Sequence, residues 1–280
     1  MKIKFTKMHG CGNDYIYINC FENCIYDPSS LSMKLSDRRY GIGGDGIILI
    51  ESSENADAKM RIFNKDGSEG KMCGNGIRCV AKYLYDNGIT SSRENIRVET
   101  LSGVKSLDII ENNGPEAIVK VNMGKAIFEC EKIPMIFSKN EVINEYVTIN
   151  DKSYGITCVS MGNPHCAVFC EEVYSADVKG IGTKLSTHSM FPEGVNVEFL
   201  SIIDSNNIAM RVWERGSGET LACGSGACAS VAAAVRNGFC NRNEDVTVHL
   251  RGGKLVINYS DDSVMMTGNA VKVFEGEIEI

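Results

Sequence analysis

The sequence predicts a mixed α/β (α+β) fold built from two similar halves. Apolar and polar residues alternate along much of the 280-residue chain, which is typical of β-strands. Helical patterns are fewer, and the two strongest occupy equivalent places in an internal repeat. The predicted strands are YIYIN, GIILI, AKMRIF, NIRVET, AIVKVNM, YVTIN, GITCVS, CAVFC, VNVEFLSII, NIAMRVW, DVTVHL, KLVINYS and VKVFEGEIEI.

The internal repeat keeps one offset and needs no gaps. Residues 58–76, AKMRIFNKDGSEGKMCGNG, align with residues 208–226, IAMRVWERGSGETLACGSG, an offset of 150 positions. A chance match would drift out of register, so we expect two pseudo-symmetric domains that face each other. We place the first domain at residues 1–122 with the final strand, 271–280, and the second at residues 123–270.

Four segments predict helices. SSLSMKLSDRRY, which opens after Pro28, and SADVKGIGTKLSTH are amphipathic. MCGNGIRCVAKYLYDNG at 72–88 and ACGSGACASVAAAVRNG at 222–238 begin with a cysteine among glycines and close on Asn-Gly, a favoured helix C-terminus.

Composition excludes several classes of protein. The net charge of −7 argues against a nucleic-acid or anionic-membrane partner, because both require a basic surface. The N-terminus has no signal-peptide pattern and no apolar run is long enough to span a bilayer, so we expect a cytoplasmic protein. The twelve cysteines lack the paired spacing of a zinc site, and we expect most of them to be buried. We predict no metal and no cofactor.

The duplicated cysteines, Cys73 and Cys223, suggest a reaction. A helix N-terminus carries free N–H groups and partial positive charge, so we expect the pKa of a cysteine there to be lowered. One copy alone would be a tight turn with a buried cysteine. Two copies can hold two thiols on opposite sides of one bound molecule, where one removes a proton and the other returns one. That inverts a stereocentre, and we expect an α-amino acid whose carboxylate the helix starts bind.

Five segments together resemble the diaminopimelate epimerase family and span nearly the whole chain. They are HGCGNDY at 9–15, NKDGSEGKMCGNGIR at 64–78, GNPH at 162–165, GVNVEF at 194–199 and ERGSGETLACGSGACA at 214–229. The resemblance implies a cofactor-free, two-thiol epimerase that converts LL-diaminopimelate to the meso form in lysine and cell-wall synthesis. It also implies two domains, each a curled, mostly antiparallel sheet or barrel around a central helix, an active site in the interdomain cleft, and a homodimer.

The resemblance also implies roles for individual residues. Cys73 and Cys223 would be the base and the acid, with His165 and Glu214 as supporting catalytic positions. Alone, His165 would be a packed or capping histidine, and only its place in GNPH gives it this role. Arg215 would bind the distal carboxylate and Glu214 the ammonium group. The full substrate-binding set is Asn13, Gly46, Asn64, Gly74, Asn75, Asn163, Asn196, Glu214, Arg215, Gly224 and Ser225.

Two positions depart from the family pattern. Gly46 stands where many members have a substrate-contacting glutamine, so that contact is missing or comes from the backbone. Phe274 stands where some members have an interface tyrosine, which removes one hydrogen bond from the expected dimer. Cys11 and Cys79, near the expected site, have no assigned role.

Other functions remain open on the sequence. A proline or hydroxyproline racemase would also use two thiols, but Asn75 and the Glu214-Arg215 pair favour a substrate with a second amino-acid head. Phenazine-biosynthesis isomerases of the same fold lack the cysteine pair. A thiol redox or metal-binding protein would explain the cysteine count but not the asparagines and the arginine. An inhibiting disulfide between Cys73 and Cys223 is a further hypothesis.

Overall fold

The computed structural model describes residues 2–21 and 24–279, and the chain divides into two compact units. Unit 1 comprises Met1–Asn122 and Thr267–Ile280, and unit 2 comprises Met123–Met266. No helix in the described part of the chain is both long enough and apolar enough to cross a membrane.

Both units contain two strands, a helix, three strands, a second helix and two strands in this order; unit 1 has one more strand at its end and unit 2 one more at its start. Unit 1 contains β1 (Lys2–Gly10), β2 (Asn13–Asn19), α1 (Pro28–Ser36), β3 (Gly46–Glu51), β4 (Ala58–Asn64), β5 (Glu69–Gly70), α2 (Gly74–Asp86), β6 (Ile96–Thr100), β7 (Gly103–Asn113) and β8 (Glu116–Asn122). Unit 2 contains β9 (Glu145–Ile149), β10 (Lys152–Ser160), β11 (Pro164–Phe169), α3 (Val178–Ser186), β12 (Asn196–Asp204), β13 (Asn207–Glu214), β14 (Gly218–Thr220), α4 (Gly224–Arg236), β15 (Asp245–Leu250) and β16 (Gly253–Tyr259). The last strand, β17 (Val264–Glu279), begins in unit 2 and ends in unit 1.

Unit 1 is a closed β-barrel around a helix. Hydrogen-bonded pairs run in the order β1, β2, β3, β4, β6, β7, β8 and β17, and β17 pairs back onto β1. The β2–β3 and β4–β6 pairs are parallel, and β1–β2, β3–β4, β6–β7, β7–β8 and β1–β17 are antiparallel. Helix α2 contacts most of these strands and is buried from Gly74 to Leu84, so it forms the core of the barrel. Helix α1 packs on the outside of β2, β3 and β4.

Unit 2 repeats this architecture. Strands β10, β11, β12, β13, β15 and β16 pair in turn, with parallel pairing at β11–β12 and β13–β15. The segment after β8 closes the barrel, because Gly124 accepts a hydrogen bond from Val264 and Ile127 pairs with Ser160 at the end of β10. Helix α4 is buried from Ala227 to Ala234 and takes the central position, and α3 packs outside on β12 and β13. The predicted mixed fold with a barrel or curled sheet around a central helix is confirmed.

The repeat seen in the sequence is kept by the backbone. The bounds of α1 and α3, and those of α2 and α4, each differ by 150 positions. Both central helices end where Asn-Gly predicts: Asn87 and Asn237 cap them, and Gly88 and Gly238 follow with positive φ values of 67° and 77°. The positive φ favours glycine, which has no Cβ to clash in the left-handed region.

Candidate active site

The two cysteine-led helix starts have the same local geometry. Cys73 is the N-cap of α2 and Cys223 is the N-cap of α4, both with extended backbone. In each case the sulfur accepts a hydrogen bond from the backbone N–H three residues on, at Gly76 or Gly226, over 3.3 Å. A strand leads into each helix through a short hairpin, so the barrel fixes where the sulfur lies.

In unit 1, asparagine amides surround Cys73. The thiol donates to Asn13 Oδ1 over 3.2 Å, and Asn75 Nδ2 donates to the same oxygen over 3.4 Å. Asn13 Nδ2 donates to Asp45 over 2.8 Å, and the buried Arg78 donates to Asn75 Oδ1 over 3.1 Å. Asp45 and Arg78 therefore fix which atom each amide presents.

An ionic cluster surrounds Asp45, the hydrogen-bond partner of Asn13. The Asp14 carboxylate lies 2.6 Å from Lys7 Nζ and 2.6 Å from Arg38, which also contacts Asp45 at 3.0 Å. Burial raises the pKa of Asp14, but the hydrogen bonds and charges of Arg38 and Lys7 outweigh it and hold that pKa below its ordinary value.

Gly46 and Asn64 lie beside this cluster as paired residues of β3 and β4. A Cβ atom on Gly46 would meet Phe63 O at 2.1 Å, so the strand pairing leaves no space for a side chain. Asn64 donates through Nδ2 to Ser68 Oγ over 3.1 Å. Only the backbone of Gly46 is therefore available for a contact at this position.

In unit 2, Cys223 lies beside Ser225 and Asn163. The Cys223 sulfur is 3.6 Å from Ser225 Oγ, and Asn163 Nδ2 donates to Ser225 Oγ over 3.4 Å. Asn163 Oδ1 lies 3.1 Å from His165 Nε2. The fully buried His165 uses its other nitrogen, Nδ1, to contact Glu198 Oε1 at 2.7 Å.

The remaining predicted residues of unit 2 lie at the ends of β12 and β13. Asn196 Oδ1 accepts a hydrogen bond from the Arg215 backbone over 3.1 Å, and the Arg215 guanidinium donates to Glu193 O over 2.8 Å. The Glu214 carboxylate accepts a hydrogen bond from the Thr220 hydroxyl. Arg215 is exposed, so its guanidinium is accessible to a charged ligand.

The expected lowering of the pKa is wrong for Cys223. Burial, followed by the negative charges of Glu214 and Glu198, raises the pKa of this thiol well above its ordinary value. The hydrogen bonds from Ser225 and Gly226 lower it but are outweighed. Desolvation penalises a thiolate more than one helix terminus stabilises it, so the Cys223 environment favours the thiol.

The predicted residues form two groups. Asn13, Gly46, Asn64, Gly74 and Asn75 lie with Cys73 in unit 1, and Asn163, His165, Asn196, Glu214, Arg215, Gly224 and Ser225 lie with Cys223 in unit 2. Sequence reasoning missed Glu198, Asp45, Arg78 and Thr220. Glu198 could have been found, since it is the only charge in the apolar run VNVEFLSII.

Metal ligation receives no support from the side chains. Across residues 2–21 and 24–279, no group of three or more His, Cys, Asp or Glu residues is placed to hold a metal ion.

Solved structures share this fold. The chain matches a phenazine biosynthesis protein from Bacillus anthracis with a TM-score of 0.72 and 16% identity, covering 100% of both chains. It matches a hydroxyproline epimerase from Agrobacterium vitis with a TM-score of 0.68 and 14% identity, covering 99% of this chain and 91% of the other. The shared fold defines a class of proteins that includes an epimerase.

Sequence comparison gives the family. The diaminopimelate epimerase family model matches residues 5–129 and 157–273. Diaminopimelate epimerases from Acetivibrio thermocellus and Methanococcus maripaludis are 51% and 50% identical over 99% of this chain, covering 99% and 100% of the relatives. The chain belongs to the diaminopimelate epimerase family, and its reaction is the epimerisation of diaminopimelate.

Proposed function

We propose that Cys73 and Cys223 interconvert LL- and meso-diaminopimelate by a two-base mechanism. The observation that carries this proposal is the matched pair of N-cap cysteines, each at the start of a buried barrel helix. In this mechanism each thiol acts on one face of the substrate Cα. A thiolate on one side removes its proton while the thiol on the other side donates one to the opposite face, and the roles exchange in the reverse direction.

The helix starts stabilise the developing negative charge. The reacting carboxylate accepts hydrogen bonds from backbone N–H groups at Gly74-Asn75 and Gly224-Ser225, where the helix dipoles add partial positive charge. Fixed donors in a site that excludes water stabilise a carbanion-like transition state more than mobile water would. No cofactor is required in this mechanism.

The second amino-acid head of the substrate is recognised at the ends of β12 and β13. Arg215 binds the distal carboxylate, and Glu214 binds the ammonium group. The amides of Asn13, Asn64, Asn163 and Asn196 fix the orientation of the substrate. At Gly46 only the backbone is available, because a side chain would clash with Phe63.

We further propose a cytoplasmic homodimer that serves lysine and peptidoglycan synthesis. Phe274 on β17 is 47% exposed and packs edge-to-face on Phe5 with 5.9 Å between ring centroids. The exposed part of Phe274 is suited to an interface that relies on packing rather than on a tyrosine hydrogen bond.

The mechanism is tested by hydrogen exchange. Reduced protein is incubated with LL-diaminopimelate in heavy water, and deuterium at Cα and meso product are followed by NMR. We expect both in the wild type, and an epimerisation rate about a thousandfold lower in Cys73→Ser and in Cys223→Ser. Full activity in either variant would contradict the two-base mechanism. Exchange only with proline or hydroxyproline would overturn the substrate.

We also propose that oxidation joins Cys73 to Cys223 and stops the reaction. A mechanism in which both thiols act on one carbon atom requires the two sulfurs to approach each other, and two cysteines that approach closely can form a disulfide. Treatment with a disulfide oxidant should abolish activity, dithiothreitol should restore it, and mass spectrometry should find the linked peptides. Full activity of the oxidised protein would refute this proposal.

A further inference from the structure

A hydrogen-bonded chain in unit 2 joins a buried carboxylate to the Cys223 sulfur. Glu198 Oε1 lies 2.7 Å from His165 Nδ1, and His165 Nε2 lies 3.1 Å from Asn163 Oδ1. Asn163 Nδ2 then donates to Ser225 Oγ over 3.4 Å, and Ser225 Oγ lies 3.6 Å from Cys223 Sγ. Glu198 and His165 have no exposed surface.

The hydrogen bonds from His165 to Cys223 are all donated in one direction, toward the sulfur. An amide oxygen can only accept, so His165 Nε2 carries a proton and donates it to Asn163 Oδ1. This bond turns the other end of the amide, Nδ2, toward Ser225. The Ser225 oxygen is then an acceptor from Asn163, and its own hydrogen is left to donate to Cys223 Sγ.

Unit 1 shows that the barrel itself does not need this carboxylate. The residue equivalent to Glu198 at the repeat offset is Ile48. A Cβ on Gly226 would lie 2.7 Å from Glu198 Oε1, and a Cβ on the equivalent Gly76 would lie 2.7 Å from Ile48 Cδ1. The two side chains therefore occupy the same place beneath the first helical turn, where an apolar group suffices in unit 1.

The Glu198 carboxylate also destabilises the folded state at this position. Glu198 Oε2 is buried and has no hydrogen-bond partner among the described residues. A buried polar atom without a partner destabilises the folded state, because it has lost its hydrogen bonds to water. A group that the fold does not require and that costs stability is a candidate for a functional role.

We propose that Glu198 is a positioning residue for Cys223: its carboxylate accepts a hydrogen bond from His165 Nδ1, holds Nε2–H against Asn163, and thereby aims the Ser225 hydroxyl at the sulfur. This inference rests on the proposed two-thiol mechanism. Its consequence is that the thiolate of Cys223, whenever it forms in the catalytic cycle, finds a hydrogen-bond donor already in place. The orientation does not have to be created during the reaction, which is how preorganised donors assist catalysis.

The charge of Glu198 acts on the same sulfur. The charged groups that act on this sulfur are Glu214 on β13 and Glu198 on β12, and both carboxylates raise the pKa of Cys223. Removal of the Glu198 charge removes one raising contribution, so the thiolate should form at lower pH. A purely structural role for Glu198 would not change the ionisation of Cys223 in a folded variant.

The experiment compares Glu198→Gln with Glu198→Ile. Glutamine can donate to His165 Nδ1 and keep the Nε2 proton in place, whereas isoleucine, the residue of unit 1, cannot. We expect kcat/KM for LL-diaminopimelate to fall about 10- to 100-fold in Glu198→Ile, the range for loss of a group that orients a functional histidine. In Glu198→Gln we expect most of that loss to be restored.

The second readout needs no substrate. The rate of Cys223 alkylation by iodoacetamide is followed against pH by peptide mass spectrometry. In both variants it should be about tenfold faster at neutral pH, because the reactive thiolate then forms at lower pH. Glu219→Gln is the matched control, because Glu219 pairs with Arg211 and Arg251 in the same unit and has no chain to Cys223.

The outcomes separate the two proposals. Unchanged alkylation in Glu198→Gln and Glu198→Ile, or equal kcat/KM losses in both, would overturn the positioning role. An equal change in Glu219→Gln would overturn it as well. If Glu198→Ile fails to fold, the alkylation rate in Glu198→Gln still decides. If the wild type shows no exchange with diaminopimelate, the proposed function fails, while the alkylation result stands on its own.

Discussion

Cys73 and Cys223 share a backbone conformation but differ in the side chains around the sulfur. Both accept one backbone N–H bond at a helix start. Cys73 donates to an asparagine oxygen, whereas Cys223 lies among two carboxylates and a serine hydroxyl. The helix start sets the position of each thiol, and the side chains of each unit adjust its acidity.

A paired glycine substitution tests how closely the sulfur of Cys223 is held. In Gly226→Ala, the new Cβ would lie 2.7 Å from Glu198 Oε1 and 3.3 Å from Cys223 Sγ, so both must move. In Gly76→Ala it meets the flexible tip of Ile48 at 2.7 Å, which can rotate away. We expect kcat to fall at least about tenfold further in Gly226→Ala, since small misplacements of reacting groups are costly. Steady-state kinetics of both variants measure this, and equal losses would contradict it.

At the residue scale, the sequence predicts which residues form the site better than it predicts how they ionise. The cysteines, asparagines and Glu214-Arg215 could be named from the motifs, because their spacing is local. The raised pKa of Cys223 could not be predicted, since it depends on the burial of α4 and on carboxylates that β12 and β13 bring from distant positions. The closed space at Gly46 also depends on a neighbouring strand.

The central helices are capped by the residues proposed to react, so capping and catalysis can be separated by substitution. Serine keeps an acceptor for the Gly76 N–H, while alanine removes it. We expect Cys73→Ala to lower the free energy of unfolding by about 1 kcal/mol, and Cys73→Ser to leave it within about 0.5 kcal/mol of the wild type. Urea denaturation gives these values. A serine variant as unstable as the alanine variant would show that the cap contributes little.

The helices and most of the strands were predictable from the sequence, but several strands and strand bounds were not. All four helical patterns gave helices, because caps and Asn-Gly stops are local signals. Strands β5 and β14 have only two and three residues and exist because β4 and β13 pair with them. Strands β1 and β7 were missed, and β17 begins at Val264 rather than at Val271. Closure of a barrel decides such bounds.

The stability of the molecule in acid should depend on Asp14. Its pKa is held below the ordinary value, so the carboxylate stabilises the fold above the unfolded-state pKa of about 3.9. That stabilisation is lost as the pH falls from there through the folded-state pKa. We expect the free energy of unfolding of Asp14→Asn at pH 7 to be about 3 kcal/mol lower than that of the wild type, because the substitution leaves Lys7 buried without a carboxylate partner. Below pH 4 its stability should decline less steeply than that of the wild type.

Denaturant unfolding at several pH values measures this dependence. Asp262→Asn is the control, since Asp262 is almost fully exposed and, among the ion pairs of the described residues, contacts only Lys125, at 3.5 Å. If the free energy of unfolding of Asp14→Asn fell with pH as steeply as that of the wild type, another carboxylate would be the main cause of the loss of stability in acid.

The constant offset between the units records a duplication whose copies have since diverged. Where the fold alone decides, the copies agree, as in the Arg61–Glu69 and Arg211–Glu219 pairs at 2.7 and 2.9 Å. Where they disagree inside the core, Arg78 and Lys82 of α2 face Cys228 and Ala232 in the alignment. Each unit thus shows which residues the other could carry at equivalent positions. A chimera that exchanges such residues would distinguish those that the shared fold requires from those that serve the function of one unit.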